Sequence, residues 1–146
     1  MDFILFPFLA VASAIGTWFL ASYLVASLGW QRLAGDFRVE RVSQGSVFWL
    51  AYLKIDSIKY SGIGVVRATV AADGLGLRVV FLFRLCHPPL LVPWLALGPL
   101  VQTKSWWRTT YETTIRTSGG GRVRVRFNNE RLFEATQVAG RAAGVK

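Results

Sequence analysis

From Phe3 to Gln31 no residue is charged and most positions are apolar. The hydrocarbon core of a bilayer is about 30 Å thick, and roughly 20 helical residues cross it. The stretch Phe3 to Leu28 is therefore long enough to span once, with tilt. This pattern predicts a transmembrane anchor over residues 1–31. Pro7 falls in its first turns, where a missing amide costs least. Small residues recur at spacing four: Ala10 and Ala14, Ala12 and Gly16, Ser22 and Ala26. Such faces let two helices approach closely. Ala12, Gly16, Ser22 and Ala26 are the expected packing positions if a second helix meets the anchor. A plain lipid-facing helix is the alternative.

Beyond the run, Trp30, Leu33 and Phe37 share one helical face. They predict a short amphipathic helix within a juxtamembrane segment, residues 32–44. That helix either lies in the interface or packs on the following domain. Trp30 and Arg32 are the expected interfacial anchors, and Arg32 and Asp36 have the spacing of a helical ion pair.

From Gly45 the period changes to short β-type runs broken by turn signals. Strands are predicted over residues 46–54, 60–71, 75–83 and 90–97, with a loop over Arg84–Pro89. Gly62 and Gly64 predict a bulge or bend, and Pro93 an edge position or a strand start. A hairpin follows, from Trp106–Thr117 to Arg122–Phe127. Arg122, Arg124 and Arg126 alternate with Val123, Val125 and Phe127, so one set faces out and the other in. A loop over Thr117–Gly121 then puts Arg116, Thr114 and Glu112 outward and Glu112 across from Arg126, a favourable pair. A terminal helix starts at an Asn128 or Asn129 cap with Glu130 in its first turn. Its apolar stripe is Leu132, Phe133, Thr136, Val138, Ala139 and Ala143. The expected architecture is one N-terminal transmembrane helix followed by a mostly-β domain, residues 45–146, of antiparallel strands and a C-terminal helix.

Charge adds direction. All 17 Lys and Arg residues follow Gln31, and the net charge is +9. Arg32, Arg38 and Arg41 flank the run on its C-terminal side, while Met1 and Asp2 flank the other. Positive charge stays on the cytoplasmic side, so the N-terminus is expected outside and the domain in the cytoplasm. A cleaved signal peptide would need a basic n-region and a shorter apolar core. The single cysteine, Cys86, excludes an intrachain disulfide.

The stretch Asp73-Gly74-Leu75-Gly76-Leu77, the phenylalanines Phe81 and Phe83, His87-Pro88-Pro89-Leu90 and Val92-Pro93-Trp94 together resemble small bacterial PH-like and GRAM-like membrane proteins. The resemblance covers roughly residues 45–143. It implies a PH-like fold and a bacterial inner membrane. Most such proteins have no assigned activity, so it supplies no catalytic residues.

Enzymatic constellations are sparse. His87 is the only histidine, and adjacent Cys86 and His87 are not a zinc-ligand spacing. A turn histidine bonded to backbone is the expected role. Gly119-Gly120-Gly121 precedes a strand, so it is a hairpin turn and not a phosphate loop. No catalytic residue, metal or cofactor is expected. What remains is the basic stripe of Arg116, Arg122, Arg124 and Arg126, a positive surface that Arg67, Arg78, Arg84 and Lys104 extend, with Lys54 and Lys59 in and after the first strand. Contact with anionic headgroups is one reading, and a solvated sheet face is the other. Of the adjacent Trp106 and Trp107, strand alternation puts one in the core and one out; the exposed one would meet the membrane or a partner. Nucleic acid is disfavoured, because the aromatics lie in apolar runs instead of among basic residues. The expected function is non-enzymatic: a membrane-held basic domain binding anionic lipid, a membrane protein partner, or a second copy. The alternative is an accessory subunit of a larger membrane complex.

Overall fold

Turn residues after each β-branched or aromatic run fold the chain back on itself repeatedly. The computed structural model describes residues 2–79 and 87–144. It opens with α1, Asp2–Leu28, and α2, Trp30–Phe37. The strands are β1 (Gly45–Ile55), β2 (Ile58–Ala71), β3 (Gly74–Val79), β4 (Leu90–Pro93), β5 (Val101–Lys104), β6 (Thr109–Arg116) and β7 (Arg122–Phe127). A 3-10 turn, Trp94–Ala96, follows β4, and α3, Glu130–Ala142, follows β7. Among the described residues the sheet has seven strands in the order β4-β3-β2-β1-β7-β6-β5, antiparallel at every pairing. Residues Val80 to Cys86, including Phe81, Phe83 and Arg84, lie outside the described residues, so the end of the expected 75–83 strand and most of the expected loop do too.

In α1, Phe3–Leu28 is long and apolar enough to cross a membrane, and the protein buries none of its most apolar stretch. Large apolar side chains on every side of it are exposed, from Phe3 through Phe8, Ile15 and Leu20 to Leu28. Such a helix has no amphipathic face to lay on a protein core. The last turn differs: Ala26 is fully buried in the domain. Ser22 is half-buried, while Ala12 and Gly16 are exposed. Of the expected packing positions, Ala26 is therefore already occupied by the protein's own domain.

Gly29 separates the two helices. A Cβ there would lie 3.2 Å from the Ile55 carbonyl oxygen and 3.3 Å from its side chain. The missing side chain lets the chain turn against the end of β1. The amphipathic face predicted for residues 30–37 then packs inward. Trp30 and Leu33 are fully buried in the same core as Leu50, Leu53, Ile55, Leu90 and Ile115. Trp30 is thus not a headgroup anchor. It stands edge-on to Tyr60 and His87, with centroids 5.9 and 5.4 Å away, and its Nε1–H donates to the Pro88 carbonyl at 2.8 Å. Protein surrounds the indole because the Gly29 turn brings α2 back over the sheet. Beyond α2, Arg38 bridges Leu90 and the Val39 amide donates to the Pro89 carbonyl.

The β6–β7 hairpin has the register that alternation requires. Glu112 pairs with Arg126, Thr114 with Arg124 and Arg116 with Arg122. Val123, Val125 and Phe127 are buried. Gly120, at φ +79°, takes the left-handed turn position that glycine favours. The β2 bulge is present as well: Leu50 pairs with Val66 but Tyr52 with Ser61, so β2 carries extra residues around Gly62 and Gly64. Pro93 ends β4, an edge strand, where no ladder donor is missed. Two expectations fail. Residues 94–97 do not extend β4, because Trp94 turns inward and its Nε1–H donates to the carbonyls of Ala71 and Ala72. The exposed strand β5 escaped sequence reading, since none of its four side chains is buried to give a period.

The helix α3 caps as expected. Asn129 Oδ1 accepts from the Leu132 amide at 3.0 Å. Leu132 and Thr136 are buried, and Phe133 stacks on Tyr111 at 4.3 Å. Val138 departs from the predicted stripe and is exposed. Asn129→Ala is expected to cost about 1 kcal/mol, read as a lower melting temperature of the detergent-solubilised chain.

Candidate functional site

Outward alternation on β7 exposes Arg122 and Arg124 and leaves Arg126 half-buried. Their neighbours decide how available each charge is. Arg126 Nε and Nη2 both donate to Glu112 Oε2, at 3.0 and 2.6 Å. This forked pairing raises the Arg126 pKa above its ordinary value, the Glu112 hydrogen bond being the main cause. Arg124 Nε also approaches Glu112, at 3.3 Å. Arg122 has no acidic partner among the described residues and stands directly opposite Arg116. The predicted stripe is therefore uneven, with Arg126 largely satisfied and Arg122 and Arg116 facing each other as like charges.

The β1–β2 turn completes the arrangement. Asp56 sits at φ +51°, a conformation an aspartate tolerates better than most side chains. Its amide donates to the Arg124 carbonyl at 2.8 Å, and its Oδ1 accepts from the Arg124 amide at 3.0 Å. Oδ2 pairs with Arg32 Nη1 at 2.5 Å. Arg32 thus bonds across to the sheet instead of to Asp36, its predicted helical partner. Asp36 holds the other end of α2 to the hairpin: its carboxylate accepts from the Ser118 hydroxyl at 2.6 Å and from the Ser118 amide at 2.7 Å. These bonds, the hydroxyl's first, lower the Asp36 pKa below its ordinary 3.8. A lowered carboxyl pKa stabilises the fold above the ordinary value and loses that contribution as pH falls through the folded one. The protection factor of the Ser118 amide, its exchange rate taken relative to the intrinsic rate at each pH, is accordingly expected to hold between neutral pH and 5 and to fall only in acid below pH 3.8.

Between α2, the β1–β2 turn and the hairpin lies a groove of about 650 Å³, lined by Arg32, Lys54, Asp56, Ser57, Thr114, Arg122 and Arg124. By local pattern alone Arg32 belongs to the end of the apolar run and the arginines to a sheet face; the fold makes them one site. Lys54 enters because β1 pairs with β7, which sets Lys54 beside Arg126. Lys54 is already among the basic residues of the first strand by sequence, but nothing local links Asp56, Ser57 or Thr114 to it.

The tryptophans are elsewhere. Trp106 and Trp107 lie in the β5–β6 turn, not on a strand, and both are exposed, at 96% and 65%. The expectation that one is core fails because the Ser105–Arg108 turn, closed by the Ser105 amide on the Arg108 carbonyl, has no inward face. They flank the Thr109 end of β6, and the groove flanks its Arg116 end. Eight strand residues separate the ends, about 23 Å at 3.3 Å per step. Arg108 stacks on the Tyr52 ring at 4.1 Å, and Lys59 on the same ring at 5.5 Å. Arg67 lies over Trp49, and Lys104 is on the far edge strand. None of these lines the groove.

His87, expected as a turn histidine bonded to backbone, has a side-chain partner. It is buried, its Nε2 is 3.0 Å from the Tyr60 hydroxyl, and burial raises the Tyr60 pKa far above its ordinary value. Among the described residues no group of three or more His, Cys, Asp or Glu is placed to hold a metal ion. No family model, curated protein or solved structure matches this chain, so the groove is read from its own geometry.

Proposed function

We propose that α1 crosses the cytoplasmic membrane of a bacterium once, N-terminus outside, and that the β domain binds anionic lipid headgroups on the cytoplasmic side. One observation carries this reading: the groove shares Arg32 with the exit of the apolar helix, four residues past Leu28. A cationic site tied to that exit lies at headgroup depth when α1 spans. Each basic residue there contributes about 1 kcal/mol toward an anionic leaflet. Arg32, Arg38 and Arg41, all just beyond the run, support the orientation. The strand order, with β1–β4 and β5–β7 meandering and β7 closing on β1 ahead of a terminal helix, supports a PH-like arrangement.

The test is to place the full chain in nanodiscs holding equal mole fractions of phosphatidylglycerol and phosphatidylcholine, release it gently, and weigh it intact. Retained lipid is expected to be predominantly anionic at low salt and to lose that bias at 0.5 M salt, where the Debye length is about 4 Å. Equal retention of both lipids at low salt overturns the reading.

A second reading, as an accessory subunit of a larger membrane complex, is favoured by Trp106 and Trp107. Two exposed indoles at the end of β6 away from the anchor fit a protein interface better than lipid. Mild detergent extraction is then expected to yield co-purifying subunits that Trp106→Ala with Trp107→Ala releases. A lone monomer or homodimer removes this reading.

A further inference from the structure

We infer that the groove between α2 and the β6–β7 hairpin is a site for a phosphate monoester. The inference rests on the lipid-facing reading above and narrows it to one headgroup chemistry.

The lining is almost entirely donors. Arg32, Lys54, Arg122 and Arg124 supply cations from three separate elements, and the Ser57 and Thr114 hydroxyls stand among them. The one carboxylate in the lining, Asp56, is already engaged by Arg32 and by the Arg124 amide. It therefore compensates Arg32 and holds α2 to β7, leaving the other lining cations to the groove. Lys54 and Arg122 have no acidic partner among the described residues, and Arg122 faces Arg116 directly across the hairpin. Like charges paired across strands are destabilising unless something lies between them. An anion in the groove relieves that repulsion.

The choice among anions follows from counting charge and acceptors. A phosphate monoester carries close to two negative charges and three terminal oxygens. A phosphodiester headgroup such as phosphatidylglycerol carries one charge and two terminal oxygens, and a carboxylate likewise. With Arg32 paired to Asp56 and Arg124 to Glu112, Lys54 and Arg122 leave two positive charges uncompensated, which match the dianion better than either monoanion. Guanidinium forks suit the same oxygens, which accept paired N–H bonds. The monoester can arrive as a lipid headgroup from the leaflet or as a soluble phosphate from the cytoplasm, and the geometry serves both.

The test titrates the full chain in non-ionic detergent at pH 8 and fixed ionic strength, by calorimetry. Three probes are used: dihexanoyl phosphatidic acid, dihexanoyl phosphatidylglycerol and inorganic phosphate. The phosphatidic acid is expected to bind at least about tenfold more tightly than the phosphatidylglycerol. Lys54→Gln with Arg122→Gln is expected to remove that advantage. Lys104→Gln with Arg131→Gln, which takes the same charge from outside the groove, is expected to leave it. Inorganic phosphate as tight as phosphatidic acid assigns the site to a soluble ligand, and much weaker phosphate assigns it to a lipid; either supports the monoester site. Equal affinity for phosphatidic acid and phosphatidylglycerol overturns the inference while leaving anionic-lipid binding intact. No binding of any probe overturns both. Equal losses in the two double variants place binding outside the groove and overturn the assignment.

Discussion

Trp30→Ala is expected to destabilise the detergent-solubilised chain by about 3–5 kcal/mol, the usual range for emptying a buried aromatic site. The indole is fully enclosed and touches Tyr60 and His87 edge-on. Its Nε1–H satisfies the Pro88 carbonyl, so truncation also leaves a partly buried acceptor unpaired. The surroundings collapse poorly, because β-sheet backbone and the Gly29 turn bound the cavity. Trp30→Phe keeps most of the apolar contact and isolates the lost hydrogen bond, expected at about 1–2 kcal/mol. Trp106→Ala and Trp107→Ala, by contrast, are expected to stay within about 0.5 kcal/mol of the parent. Denaturant unfolding followed by circular dichroism separates these cases. A Trp30→Ala loss below about 1 kcal/mol would show that α2 does not belong to the core. The consequence reaches the groove, since Arg32 sits two residues beyond Trp30 and moves with α2.

The second large effect concerns charge. Arg122→Gln with Arg124→Gln is expected to weaken retention of anionic lipid by roughly thirtyfold, from about 1 kcal/mol for each residue. Arg126→Gln is expected to change it by less than about threefold. The difference comes from Glu112, which grips Arg126 through two hydrogen bonds and leaves Arg122 open. Glu112→Gln supplies the opposite sign: it frees Arg126 and Arg124 and is expected to increase retention while lowering stability. Intact mass of chains released from phosphatidylglycerol nanodiscs reads all three. Equal losses from Arg126→Gln and from the Arg122 and Arg124 pair would mean that only the net charge of the domain matters.

Much of this molecule is legible in its residue pattern. The apolar run becomes α1, the Trp30–Phe37 face becomes α2, and Asn129 caps α3. The register of the β6–β7 hairpin follows from alternation alone, because a slip of one residue would bury three arginines. These are local or period-determined features, and each is set by interactions within a few residues or across a single turn.

Where α2 lies, what Trp30 touches and which charges converge are of another kind. The sequence places Trp30 just past a helix long and apolar enough to cross a membrane, and on that evidence headgroup contact is the natural expectation. Only the Gly29 turn against Ile55 decides that the indole is enclosed instead. The partner of Arg32 is Asp56, 24 positions away, although Asp36 has the right helical spacing. The groove depends on β1 pairing with β7, a contact between residues at least 70 positions apart, Leu53 with Phe127 among its pairs. Periodicity records which face of an element is apolar. It does not record which other element will cover that face or which charge will cross to it. By itself the sequence determined an apolar helix, an antiparallel run of strands and an outward basic stripe. The tertiary structure alone decided that Arg32, Lys54, Arg122 and Arg124 form one cationic groove at the end of that helix, because long-range pairing brings together charges that no local spacing connects.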